Sequence, residues 1–157
     1  MPEKTRYIVI LLGIVAGGVF YGSVSVLTDY FAPVLALIAG FLGGSGLAIY
    51  DNRLDTGDKD VSVAILLLHC LCGAIALIIG YYIIYNFAEI PISMLGNVRF
   101  IHPNNPSIYP SFPGFVADTL DIPTIICMIL GSTLCAAGMG HLIHALAQAL
   151  SKAQAKG

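Results

Sequence analysis

Charged residues are scarce in this chain. They account for 10% of its 157 residues, whereas 57% are hydrophobic and the mean hydropathy is +0.87. A soluble globular domain carries about 25% charged residues, so the composition excludes an ordinary soluble fold. The net charge of -2 is too small to attract nucleic acid. The sequence therefore predicts a membrane protein that binds no nucleic acid.

Aspartate and glutamate are absent from the long apolar runs. Most proton-coupled transporters carry such a carboxylate inside the membrane, where ionisable residues are generally functional. The sequence also lacks a phosphate-binding glycine loop, a nucleophile elbow and a zinc-protease helix. These absences argue against an enzyme, and we expect no catalytic residues.

Four uncharged runs are long enough to cross a bilayer. The hydrocarbon layer is about 30 Å thick and a helix rises about 1.5 Å per residue. The runs cover residues 7–27, 31–50, 61–87 and 122–150. The predicted fold class is an all-α membrane protein with four transmembrane helices in a bundle. Residues 1–157 then form a single polytopic domain, with one long external loop over residues 88–121.

The basic residues predict the orientation. Loops that carry most of the lysine and arginine stay in the cytoplasm. With both the N-terminus and the C-terminus in the cytoplasm, Arg99 is the single basic residue outside, and the other six lie inside. We expect a multi-pass protein of the bacterial inner (plasma) membrane.

Glycine and alanine recur at a spacing of four within the runs. Small residues let membrane helices approach closely, because lipid gives no hydrophobic drive for association. We expect the first two runs to form a tight hairpin. The glycines either pack the bundle internally or leave one face for a second copy or another subunit. The predicted helix-packing residues are Gly13, Gly17, Gly18, Gly22, Gly40, Gly44 and Gly140.

Two histidines lie at similar depth in different runs. His69 is about 12 Å from the cytoplasmic end of its run, and His141 is about 9 Å from a cytoplasmic exit expected near Ala147. Such a pair is a weak candidate for binding a b-type haem or a metal. Packing and proton handling are the alternatives, and we favour packing without a cofactor. All four cysteines lie within the runs, where thiols behave as small hydrophobic groups.

The predicted external loop is rich in proline and aromatic residues. Repeated proline excludes a continuous helix or a central strand. The loop either covers its own bundle or docks a partner, because exposed apolar segments often mark interaction sites. The candidate partner-binding residues are Phe100, Tyr109, Phe112 and Phe115.

Two functional hypotheses follow. The first is a non-enzymatic subunit of a larger inner-membrane assembly of the secretion, conjugation or respiratory type. It would use the glycine-rich helices and the external loop, and its partners would be the lipid bilayer and other membrane subunits or a second copy. The alternative is a small haem- or metal-binding unit for electron transfer or transport that uses His69 and His141.

Overall fold

The computed structural model of the protein describes residues 3–28, 33–49, 63–94 and 97–137. The described chain is mainly helical, with one pair of short strands. In chain order the elements are α1 (Glu3–Thr28), α2 (Pro33–Ala48), α3 (Val63–Phe87), β1 (Ile90–Met94), β2 (Asn97–Ile101), α4 (Phe112–Thr119) and α5 (Ile122–Ala137).

Two helices are long and apolar enough to cross a membrane. These are Tyr7–Thr28 within α1 and the whole of α3, which confirms the predicted helices at 7–27 and 61–87. The backbone of such a helix satisfies its own polar groups, as lipid requires. The helices α4 and α5 meet at 90° and count as a third span if they cross together. The chain thus has the helices of an integral membrane protein.

Of the other two predicted spans, one forms a shorter helix than expected and one is described only in part. The run at 31–50 forms α2, which has 16 residues and a length of about 24 Å. This is shorter than the hydrocarbon layer of about 30 Å. The run at 122–150 is helical as far as Ala137, and its remainder lies outside the described residues. Four spans and their orientation stay predictions.

The packing of α1 follows from contacts at its glycines. A Cβ atom built on Gly13 would lie 2.9 Å from the Gly46 backbone nitrogen, and one on Gly17 would lie 3.0 Å from that of Gly43. The later residue of α1 thus meets the earlier residue of α2, so the two helices are antiparallel. A Cβ atom on Gly18 would meet Ile79 of α3, so α1 also packs along α3.

The short helix α2 packs against three other helices. Besides α1, it packs against α3 at Gly43 and against α5 at Gly40, where an added Cβ atom would collide with the Met128 carbonyl oxygen. The glycines of α2 thus allow three neighbouring helices to approach its backbone closely.

Capping side chains and a proline define the N-terminal ends of α4 and α5. The Ser111 hydroxyl accepts a hydrogen bond from the Gly114 backbone N–H at 3.3 Å, and a proline follows at the start of α4. The Asp121 carboxylate accepts one from the Thr124 N–H at 2.9 Å and begins α5. Separate caps on two adjoining helices stabilise the bend between them.

The strands β1 and β2 form an antiparallel hairpin after α3. Ile90 pairs with Ile101, and Met94 pairs with Asn97 next to the two-residue connection. Each strand has only one neighbour in this two-stranded sheet. Proline is tolerated in an edge strand, which explains how Pro91 lies in β1 although proline excludes a central strand. No described contact joins either strand to α1, α2, α3 or α4.

Candidate functional site

An aromatic cluster covers the C-terminal end of α3. Phe115 of α4 lies at its centre and is fully buried. Its ring centroid is 6.0 Å from that of Tyr81, 5.5 Å from Tyr85 and 5.2 Å from Tyr109. The spacing of these rings is typical of favourable edge and tilted aromatic contacts. The cluster therefore holds α4 against the bundle.

Further contacts extend this cover toward its edge. The Phe112 ring lies 5.6 Å from both Tyr82 and Tyr85. The Tyr81 hydroxyl donates a hydrogen bond to the Thr119 carbonyl oxygen at 3.4 Å. The same segment is thus joined to α3 by ring contacts and by a hydrogen bond.

The stretch before α4 is tied to the last turn of α3. The Asn104 N–H donates to the Tyr85 carbonyl oxygen at 3.1 Å, and His102 Nδ1 hydrogen-bonds the Ala88 carbonyl oxygen at 2.9 Å. Carbonyl groups at a helix C-terminus lack hydrogen-bond donors within the helix. Asn104 and His102 provide donors for two of them. We call residues 102–119 the lid segment.

The four predicted partner-binding aromatics occupy two different places. Tyr109, Phe112 and Phe115 belong to the lid segment. The rings of Phe112 and Phe115 contact Tyr85 of α3, and the Tyr109 carbonyl oxygen accepts a hydrogen bond from the Tyr85 hydroxyl at 3.5 Å. Phe100 lies in β2, in register with Pro91. The structure therefore brings three of the four together, and Phe100 lies on a different element. Partner binding by these residues stays a prediction.

Six of the seven predicted packing glycines lie at contacts between helices of this chain. Gly13 and Gly17 face α2, and a Cβ atom on Gly22 would meet Ile83 of α3 at 2.7 Å. Gly40 faces α5, while a Cβ atom on Gly44 would lie 3.1 Å from His69 Cδ2. Gly18 faces α3, as described above, and Gly140 lies outside the described residues. These six positions are filled by the chain itself.

His69 is buried where α2, α3 and α5 meet. Its Nδ1 hydrogen-bonds the Ile65 carbonyl oxygen at 2.9 Å, and both His69 and Cys135 line the space beside Gly44. His141 lies outside the described residues, so the pairing of the two histidines stays a prediction. Within residues 3–28, 33–49, 63–94 and 97–137, no three His, Cys, Asp or Glu side chains form a group that could hold a metal.

The thiols of the four cysteines are free. Cys72 and Cys135 are buried among the helices, whereas Cys70 and Cys127 are half-buried. This placement agrees with their interpretation as small hydrophobic side chains.

Two polar residues were missed by the sequence analysis. The buried Ser132 hydroxyl donates to the Gly40 carbonyl oxygen at 3.3 Å and so joins α5 to α2. Hydrogen bonds from the side chain and backbone of Thr124 hold the pKa of the exposed Asp121 carboxyl below its usual value. Serine among small residues in a membrane helix is a signal for such an interhelical bond, and aspartate before a helix is a signal for a cap.

The chain matches no protein family model, no curated protein and no solved structure. Its function must therefore be inferred from the bundle, the lid segment and the hairpin.

Proposed function

We propose that the chain is a non-enzymatic integral subunit of a larger membrane assembly. The observation that carries this proposal is that the helices and the lid segment pack against one another, whereas no described contact joins the hairpin to α1–α4. The glycine contacts and the lid segment are satisfied within the chain. Each strand contacts the other strand, and neither contacts a described residue of α1–α4. The hairpin is therefore the described segment best placed to bind another protein.

The packed interior favours a structural subunit over a transporter. An added Cβ atom on Gly73 would collide with the Ser132 hydroxyl, and one on Gly131 would collide with the Leu37 carbonyl oxygen. Contacts this close show that α2, α3 and α5 are tightly packed at these positions. The described part of the interior thus supports a scaffold role.

Lipid is the partner proposed for the outer surface of the bundle. Three leucines on α1 and α3 are more than half exposed, with Leu11 at 60%, Leu12 at 61% and Leu67 at 63%. Apolar side chains exposed along helices of this length suit the hydrocarbon layer of a membrane. With the orientation predicted from the basic residues, the hairpin lies on the external side of a bacterial inner membrane. An assembly of the secretion, conjugation or respiratory type is consistent with that placement.

The test replaces residues 90–101 by a flexible glycine and serine linker. Partners that co-purify with the native chain in mild detergent should be lost, while the thermal midpoint of the bundle should stay unchanged. The deletion stops before Phe115 because that side chain is part of the core. Val34→Leu, on an exposed site in α2, is the matched control and should retain the partners. Retention of all partners without the hairpin would contradict the proposal.

A further inference from the structure

The exposed aromatic side chains of the long helices lie near the helix ends. Among the described residues of α1, α2, α3 and α5, the exposed aromatic residues are Tyr7, Tyr82 and Phe87. Tyr7 lies near the start of α1, and Phe87 is the last residue of α3. The large exposed side chains between them are aliphatic and include Leu11, Leu12, Val15 and Val19 on α1 and Leu71, Ile75 and Ile78 on α3. The outer surface thus changes from aliphatic in the middle to aromatic near its ends.

Contacts between α1 and α3 show how these ends are related. A Cβ atom on Gly18 would lie 2.6 Å from the Ile79 Cβ atom, and one on Gly22 would lie 2.7 Å from that of Ile83. Both contacts join residues that are 61 positions apart in the sequence. The two helices are therefore parallel, and the start of α1 and the end of α3 lie at opposite ends of the bundle.

The distance between the two aromatic ends matches the thickness of a bilayer. With the same offset of 61 positions, Tyr7 of α1 is level with Leu68 of α3. The 19 positions from Leu68 to Phe87 correspond to about 29 Å along a helix. The hydrocarbon layer of a membrane is about 30 Å thick, and aromatic side chains are enriched where helices leave it. Tyr7, at 63% exposure, and Phe87, at 67%, are thus placed as a pair of aromatic belts.

The helix α4 lies at the level of the second belt. Because α5 packs along α2 at both Gly40 and Gly44, it follows the bundle axis. The helix α4 meets α5 at 90° and therefore lies across the end of the bundle. Its half-buried Phe112 contacts the exposed Tyr82, which is five positions before Phe87, or about 8 Å along α3. A short helix in this position runs in the plane of the membrane surface.

Charged residues begin just beyond both aromatic ends. Arg6 directly precedes Tyr7, and the exposed Glu89 follows Phe87 by two positions, whereas residues 7–27 and 61–87 carry no charge. Charged side chains are costly in hydrocarbon and are tolerated near its edge. We propose that Tyr7 and Phe87 mark the two membrane–water interfaces of a lipid bilayer, and that α4 lies in the interface beside Phe87. This inference rests on the proposed function as a membrane subunit and specifies which of its residues contact the lipid headgroup layer.

The experiment measures the depth of single tryptophan residues. The native chain contains no tryptophan, so one substitution gives a fluorescence signal from one known position. The full-length variants Tyr7→Trp, Phe87→Trp, Phe112→Trp and Ile78→Trp are reconstituted in phosphatidylcholine vesicles. The acyl chains of the lipid carry bromine either near the headgroup or near the end of the chain, and bromine quenches tryptophan at its own depth. A thermal melt of each variant confirms that the bundle has folded.

The position of the bromine should reverse the order of quenching. Tyr7→Trp, Phe87→Trp and Phe112→Trp should be quenched more strongly by bromine near the headgroup. Ile78 is exposed on α3 near the midpoint between the belts, so Ile78→Trp should be quenched more strongly by bromine near the chain end. Phe87→Trp and Ile78→Trp form a matched pair because both lie on the outer surface of the same helix. If Phe112→Trp does not fold, Tyr82→Trp reports the same level from an exposed position on α3.

Three outcomes would overturn the inference. Stronger quenching of Tyr7→Trp or Phe87→Trp by bromine near the chain end would place the bilayer boundary elsewhere. Absence of quenching in Phe112→Trp and Tyr82→Trp would place α4 outside the membrane surface. Absence of quenching in every variant would show that protein, not lipid, covers the outer surface. In that last case the co-purifying partners of the native chain would still support the subunit function, whereas loss of those partners alone would leave the order of quenching unchanged.

Discussion

At the residue scale, the glycines of α2 differ in what opposes them. An added Cβ atom on Gly40 would collide with the Met128 backbone carbonyl of α5. At Gly44 the nearest atoms belong to the side chains of His69 and Cys135, at 3.1 Å and 3.4 Å. Side chains can rotate away, whereas the backbone of a packed helix can move only with the whole helix. Gly40 is therefore the less replaceable of the two.

We predict that Gly40→Ala destabilises the bundle by about 1–3 kcal/mol, the usual cost of overpacking a core. Gly44→Ala should cost less, because His69 and Cys135 can adjust. The free energy of unfolding, measured by titrating detergent-solubilised protein with a denaturing detergent, compares the two variants. Equal stability of both would show that α2 and α5 do not approach as closely as the structure has them.

His69 provides a second prediction at this scale. If it packs the bundle rather than binding haem, the purified protein should be colourless and His69→Gln should fold, because glutamine keeps a donor for the Ile65 carbonyl. His69→Ala should be clearly less stable, since it leaves a cavity and removes that bond. Absorbance around the Soret band and thermal melts give the two measurements. A Soret band lost in both His69→Ala and His141→Ala would instead establish haem ligation.

At the element scale, the lid segment joins α3 mainly through aromatic side chains. Phe115 is fully buried and contacts three tyrosines, whereas Phe112 is only partly buried and contacts two. The segment is short and has eight residues in its only helix. Such a helix is not stable by itself, so its position depends on these contacts.

We predict that Phe115→Ala lowers the free energy of unfolding by about 3–5 kcal/mol, as expected for loss of a buried phenylalanine side chain. Phe112→Ala should lower the free energy of unfolding by less, because the Phe112 ring is already partly exposed in the native protein. Limited proteolysis within residues 102–119 should become faster in Phe115→Ala than in Phe112→Ala. Equal protection of the segment in both variants would show that Phe115 does not hold it against α3.

At the scale of the whole molecule, the helices are apolar on both their inner and outer surfaces. Inner positions hold small residues such as Ala36 and Ala76, and outer positions hold large ones such as Leu11 and Leu67. This distribution of sizes is typical of a bundle surrounded by lipid. The orientation of that bundle still depends on the predicted charge asymmetry.

The topology prediction uses cysteine labelling from outside intact cells. A cysteine at Ser107, in the lid segment, should react with an impermeant thiol reagent, because Ser107 is exposed and lies in the predicted external loop. A cysteine at Thr56 should react only after the membrane is opened, because the basic residues around it predict a cytoplasmic position. The reverse pattern would invert the orientation and place the hairpin in the cytoplasm.

The sequence alone determined the membrane class and the two long helices. An apolar run without charge must satisfy its backbone within lipid, and a helix does so without help from any other segment. It also identified the small residues of the helix contacts, because their spacing in a helix is local information. The prolines of the loop excluded a central strand, and this too is local information, because proline lacks an N–H wherever it lies.

Only the tertiary structure decided which neighbour each of these residues meets. Spacing places Gly13 and Gly17 on one face but does not say that the face meets α2, whereas Gly18 and Gly22 meet α3. Phe100 and Phe115 read alike in a proline-rich stretch, yet one lies in a hairpin and the other is buried beside Tyr81. Contacts between segments distant in sequence depend on the packing of the whole chain, which local pattern does not encode.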